Sequence, residues 1–189
     1  MIRLDIDWVY LRLTNQVLAE YILSTDVYRA LTPIKTVDSV GELSQLAIGN
    51  ILLSLKRLQI SSLSDNEQAD LAELCQQIEQ VRERWRANWE RKARSERVDR
   101  QAYWQKYLNE LAIDKNLNSR TYPSKVRSRE IIDLLDEEIG YSEINTGIGL
   151  EQQDIQLRSI SSNGPFVWEE GLENGFSQER CWFLYRNFQ

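Results

Sequence analysis

The sequence contains no histidine. That gap removes Ser-His-Asp and Cys-His catalysis, the common zinc sites and the Glu-x-x-His di-iron bundle in one step. Carboxylate, Lys, Tyr or lone-thiol chemistry is all that remains. Cysteine is nearly missing as well, and Cys75 and Cys181 stand too far apart for a disulfide framework or a metal-binding spacing. The longest apolar run, Leu46 to Leu55, is interrupted by Gly49, Asn50 and Ser54 and is too short for a bilayer. At the N-terminus, Arg3 and Asp5 sit where a signal peptide needs an apolar core. A soluble, cytoplasmic protein without a membrane segment is the expectation.

Proline (3) and glycine (8) are also scarce, and most of the glycines fall after residue 139. Helices first and turns later follow from that distribution. The 189 residues, 42% hydrophobic and 28% charged, can supply one globular domain with a core. The net charge of −6 counts against a protein that binds polyanions over its whole surface.

What is present is a stretch from Ser64 to Asn118 free of both Gly and Pro. It reads as one very long helix. Ser64 and Glu67 have the spacing of a capping box, and Asp65 and Glu67 suit the positive end of the helix dipole. Leu71, Leu74, Ile78, Val81, Trp85 and Trp89 recur at three- and four-residue steps, so they share a face. A charged span follows to Arg100, and then Tyr103, Trp104, Tyr107, Leu108 and Leu111 resume the pattern. Such a helix would run about 80 Å, against a diameter of about 40 Å for a compact globule of this length. It must therefore project, or break in the charged middle near residues 92–100 and fold back.

Elsewhere the first helix is expected over Asp7–Leu31, ended by Thr32-Pro33. A second, at Val40–Leu58, has Ser39 and Glu42 as a capping box and Lys56 and Arg57 at its end. A polar connection, Asn116 to Ser124, leads to a shorter helix at Ser128–Glu138 with Gly140 as its stop. Short strands are expected at Ile155–Ile160 and Phe166–Trp168, around an Asn163-Gly164-Pro165 turn. The aromatic tail, Phe166 to Phe188, is expected to pack on the helices. The fold class is mainly α: an antiparallel bundle over residues 1–139, including the long helix at about 64–118, with a small irregular or β-containing segment, 140–189, packed on it as part of one domain.

Three motifs could carry chemistry. Asp133, Asp136, Glu137 and Glu138, with Glu143, place carboxylates three and four apart as an Mg²⁺-dependent all-α hydrolase would need. A matching acidic set is wanting, since Glu79 and Glu83 are the nearest candidates, and solvent-facing charge is the simpler reading. Gly147-Ile148-Gly149 lacks the Lys and third Gly of phosphate loops and reads as a turn. Val81–Arg100 holds eight basic residues against four acidic ones, interleaved with Trp85 and Trp89. Arginines that hold phosphates beside stacking indoles would suit an accessory subunit for nucleic acid. Helical projection, however, scatters them around the axis, while Glu90–Arg94, Glu96–Arg100, Arg86–Glu90 and Lys92–Glu96 fall at pairing distance. A solvated, self-paired helix results.

The leading functional expectation is a non-catalytic protein-interaction protein, such as an adaptor, assembly factor or structural subunit. It would bind another protein or itself through Arg84, Trp89, Arg91, Arg94, Tyr103 and Trp104. No catalytic residue, metal ligand or cofactor is assigned.

Overall fold

The computed structural model describes residues 4–31, 43–114, 119–140 and 148–188. The expected stop at Thr32-Pro33, the Ser39–Glu42 cap, the helix start at Val40, the first part of the 116–124 connection, Glu143 and Gly147 lie outside them. By its contacts the chain divides into two compact units, Met1–Glu96 and Arg97–Gln189. The division falls within a helix rather than at the change of composition near residue 139.

In the first unit, α1 spans Leu4–Leu23 and ends well short of the expected Leu31. Ser24 interrupts it. Its hydroxyl donates to the Tyr21 carbonyl at 2.8 Å and accepts from the Asp26 N–H at 3.3 Å. Such local bonds offer the backbone an alternative to helix. Further on, Arg29 and Leu46 form an isolated antiparallel bridge. Helix α2, Ile48–Gln59, starts later than expected because Ala47 is extended (φ −158°, ψ 153°). Lys56 and Arg57 occupy its last turn, where cations suit the dipole. Helix α3, Asp65–Arg84, opens with the capping box in place: Ser64 accepts from Glu67 N–H while the Glu67 carboxylate accepts from Ser64 N–H at 2.8 Å.

The long stretch breaks once, at Trp85 (φ −123°, ψ 40°), and resumes as α4 over Arg86–Ile113. The charged middle, near residues 92–100, where a break was one of the two alternatives, is continuous helix. No glycine or proline marks Trp85, and nothing in the local sequence accounts for the interruption. Leu11, Leu18 and Ile22 of α1, Ile51 and Leu58 of α2, Leu71, Leu74 and Ile78 of α3, and Trp89 and Ala93 of α4 form the core. Asp7 lies beside Ser54 and Arg57, so α1 and α2 run antiparallel, whereas Arg12–Asp70 and Asn15–Gln77 advance together along α1 and α3.

The second unit combines the rest of α4 with α5 (Tyr122–Lys125), α6 (Arg127–Glu138) and α7 (Ile148–Ile160). Part of the expected polar connection is helical, since a 3₁₀ turn at Ser119–Thr121 runs into α5. Pro123 sits in its first turn, where a missing N–H costs nothing. Helix α6 ends as expected, with Gly140 at φ 63°. The expected strand at Ile155–Ile160 is instead the last half of α7, with Leu150, Gln153 and Leu157 buried at helical spacing. Phe166–Trp168 is not a strand either. The small sheet pairs β1 (Ser162–Asn163) antiparallel with β2 (Arg186–Asn187).

Tyr122 of α5 lies against the second apolar patch of α4, and the tail meets Tyr122 through Phe183 and Phe188. Trp104, Tyr107, Leu108 and Leu111 are buried, and the Tyr122 ring lies 6.2 Å from Trp104, 6.3 Å from Tyr107 and 4.6 Å from Phe188. The Tyr122 hydroxyl donates to the Phe183 carbonyl at 2.6 Å. This chain's own aromatics cover the patch.

Candidate functional site

The charged span of α4 has two characters. Lys92, Glu96 and Arg97 are buried, contrary to the expectation of a helix solvated all round. Buried charge is tolerated only where it is paired or hydrogen-bonded, and each finds distant partners within its own unit. Glu96 accepts from the Gly49 N–H at 2.8 Å, which sets a carboxylate at the positive end of α2. Lys92, one turn earlier, donates to the Asp26 carbonyl and, at 3.4 Å, to Ser24 Oγ, just past the negative end of α1. Its ammonium also lies 4.3 Å from the Tyr21 ring centre. Burial, and then the neighbouring Arg91, pull the Lys92 pKa down; burial, and then the Glu96 charge, push Tyr21 up. These two residues close helix ends.

On the outward side two of the four expected pairs form, both to Glu90. Arg86 and Arg94 hold Glu90 at 3.0 and 3.2 Å, and those bonds, Arg86's first, keep the Glu90 carboxyl below its usual range. Arg84 is exposed, its guanidinium 4.7 Å from the Trp85 ring, and Arg91 and Arg94 are exposed. Tyr103 is 43% exposed, and its hydroxyl accepts from Lys125 at 2.5 Å. Trp89 and Trp104, expected at a partner surface, are both core residues. Helical periodicity marked them as apolar without saying which neighbour covers them. Val98 (63%) and Ile113 (88%) are the more open apolar side chains of α4.

The acidic helix proves to be a cation-neutralised cleft. A cavity of about 790 Å³ in the second unit is lined by Arg129, Asp133, Asp136, Glu137, Leu150, Glu151, Asp154 and Arg180, among others. Buried Arg129 holds Asp133 one turn away and grips Asp154 of α7 with two bonds of 2.9 Å. Asp136 is held by buried Arg97, with Nη2 to Oδ2 at 3.2 Å, and Glu137 by Arg180. Burial raises the Asp133 pKa against the pull of Arg129, and the Asp154 and Asp136 charges add to the rise. Burial pulls the Arg129 pKa down, but its bonds and charge contacts with Asp154 and Asp133 outweigh that and raise it above its usual value. Among the described residues, no three His, Cys, Asp or Glu side chains gather as a metal site. Arg97 and Arg129 carried no sequence signal, because their partners come from other helices or from a mixed-charge run.

A third feature lies in the tail. Phe166, Trp168 and Tyr185, with Glu170 and Glu173, line a cavity of about 440 Å³. Cys181 is buried and Cys75 half-buried; neither forms a disulfide, and burial raises the Cys75 pKa. Gly149 opens α7, so the expected turn at that position is the first turn of a helix.

No family model, characterised protein or solved structure matches this chain. Among the described residues, no helix is long and apolar enough to cross a membrane.

Proposed function

We propose that this is a non-catalytic interaction protein, an adaptor, assembly factor or structural subunit, which binds another protein chain or a second copy of itself along the outward side of α4. The observation that carries the reading is the state of the cleft carboxylates. Asp133, Asp136 and Asp154, the groups best placed for acid–base or Mg²⁺ chemistry, are each held by a buried arginine. An arginine already seated on a carboxylate is what a metal ion would have to displace. What this leaves for function is surface: exposed Arg91 and Arg94, then Val98 and Ile113, on a helix whose inner face is filled. The lack of a disulfide at Cys75 and Cys181 supports a reducing compartment, the cytoplasm.

A pull-down tests the surface. The combined Arg91→Glu, Arg94→Glu and Val98→Glu variant should lose partners retained by the wild type, with a melting temperature within a few degrees of it. Exposed substitutions cost little stability, about 0.5 kcal/mol or less each. Full retention of the same partners would remove α4 as the contact surface.

A further inference from the structure

Among the described residues, four partly exposed aromatic side chains carry a cation. Arg12 lies over Trp8, Arg84 over Trp85, Lys125 over Tyr103, and Arg158 and Arg186 over Trp182. Even the buried Tyr21 and Phe183 rings have Lys92 and Arg129 against them. The cavity in the tail breaks the pattern. Its rings, Phe166, Trp168 and Tyr185, have no cation over them among the described residues, and no Lys or Arg lines it. Glu170 and Glu173 do.

The walls are built and held. Phe166 and Tyr185 lie 5.3 Å apart at 47°, and Phe166 and Trp168 lie 6.3 Å apart at 77°, so the rings meet as walls at an angle rather than as a flat stack. Trp168 is fixed at its polar edge, where the indole N–H donates to the Pro123 carbonyl at 2.7 Å. Buried Phe176 backs it at 5.1 Å, edge to face. The Tyr185 hydroxyl donates to the Phe176 carbonyl at 2.8 Å. Main-chain bonds of 2.9 Å, from Gly164 N–H to Tyr185 O and Val167 N–H to Leu184 O, bind the segment bearing Phe166 to the one bearing Tyr185. Phe166 also stacks on Phe176 at 6.3 Å and 29°, so bonds and ring contacts together fix the walls and little ordering is left for a ligand to supply.

We infer that this cavity binds a methylated ammonium group, held against the faces of Phe166, Trp168 and Tyr185 and neutralised by Glu170 and Glu173. Aromatic faces are electron-rich and attract a cation that sheds its water easily. A quaternary ammonium, which has no N–H to satisfy, suits the aromatic rings, and the two carboxylates that also line the cavity supply charge complementarity. The cavity of about 440 Å³ exceeds the volume of such a group and leaves room for the chain that bears it. The group could be carried by a trimethylated lysine in a peptide or by a free choline-type molecule. The site is separate from the α4 surface and does not rest on the interaction proposed there.

Proton NMR on the full-length protein tests the site, because methyl protons over aromatic faces move upfield by ring currents. The probes are choline, a trimethyl-lysine peptide, the same peptide unmethylated, and 3,3-dimethylbutanol, the uncharged isostere of choline. Saturable upfield shifts are expected for choline or the methylated peptide or both, and their relative affinities tell the free molecule from the peptide. The neutral isostere and the unmethylated peptide should bind at least tenfold more weakly. Glu170→Gln with Glu173→Gln should weaken the best probe about tenfold, and Trp168→Ala by at least as much. The glutamate pair keeps the test valid should Trp168→Ala unfold the tail. Three results would overturn the assignment: no saturable shift with any charged probe, equal binding of 3,3-dimethylbutanol, or affinity unchanged in the double glutamine variant.

Discussion

Replacing Glu96 by alanine distinguishes a helix-end anchor from a surface charge. Glu96 is fully buried and accepts from the Gly49 N–H at 2.8 Å. Truncation takes away a charge-assisted hydrogen bond, worth about 1.5–3 kcal/mol, and leaves that buried N–H without its carboxylate. It also removes an anion at the N-terminus of α2, worth up to about 2 kcal/mol in a partly buried setting. Relief of the cost of burying a charge offsets part of this. A net loss of about 3 kcal/mol is expected, a fall of roughly 150-fold in the folding constant. Glu96→Gln retains an acceptor oxygen and should lose about half as much. Arg94→Ala, two residues away but exposed, should fall within about 0.5 kcal/mol of wild type. Urea unfolding followed by tryptophan fluorescence measures all three, and amide exchange at Gly49 should accelerate in Glu96→Ala. If Glu96→Ala is as stable as Arg94→Ala, Glu96 is not a buried anchor and the charged span of α4 is solvated all round.

Further outcomes follow from the second unit. Arg129→Met strands Asp133 and Asp154 without their cation and should destabilise by about 3–5 kcal/mol in chemical denaturation at neutral pH. Asp133 has a raised pKa in the folded protein, so its contribution is full below the unfolded carboxylate pKa and is lost as pH rises through the folded one. The stability of Asp133→Asn relative to wild type should therefore improve as pH is raised from about 4 to about 7, read as the difference between two pH series. Tyr122→Phe leaves the buried Phe183 carbonyl without its 2.6 Å donor and should cost about 1–3 kcal/mol in thermal unfolding. Ser64→Ala removes one half of the α3 capping box and should cost about 1 kcal/mol by the same measurement.

Where local chemistry decides the structure, the sequence shows it. The capping box at Ser64, the end of α6 at Gly140 and the cations closing α2 all depend on residues within one turn of each other. The mainly α class, the 28-residue helix and the small β-containing tail belong to the same legible part. Where distant partners decide, it does not. Lys92, Glu96 and Arg97 look solvated because periodicity counts only apolar positions, and what makes their burial tolerable comes from α1, α2 and α6. Ile155 and Leu157 alternate like a strand, yet Leu150, Gln153 and Leu157 bury one side of a helix. A short apolar run supports both periods, and packing chooses. Trp89 and Trp104 show the same limit at the candidate site. An indole on an apolar stripe reads alike whether its own chain or a partner covers it. Arg129, the hub of the cleft, sits in a run of mixed charge and could not be singled out by spacing.

The claim that the outward side of α4 is a protein-contact surface is tested most directly by photo-cross-linking. A photoreactive residue is placed at Val98 on α4 and, as a control, at exposed Gln76 on α3, and each protein is irradiated in cell lysate. Discrete adducts from position 98, at the mass of a dimer or of a defined partner, and none from position 76, are the expected result. Equal labelling at both positions, or no adduct at position 98, would contradict the account.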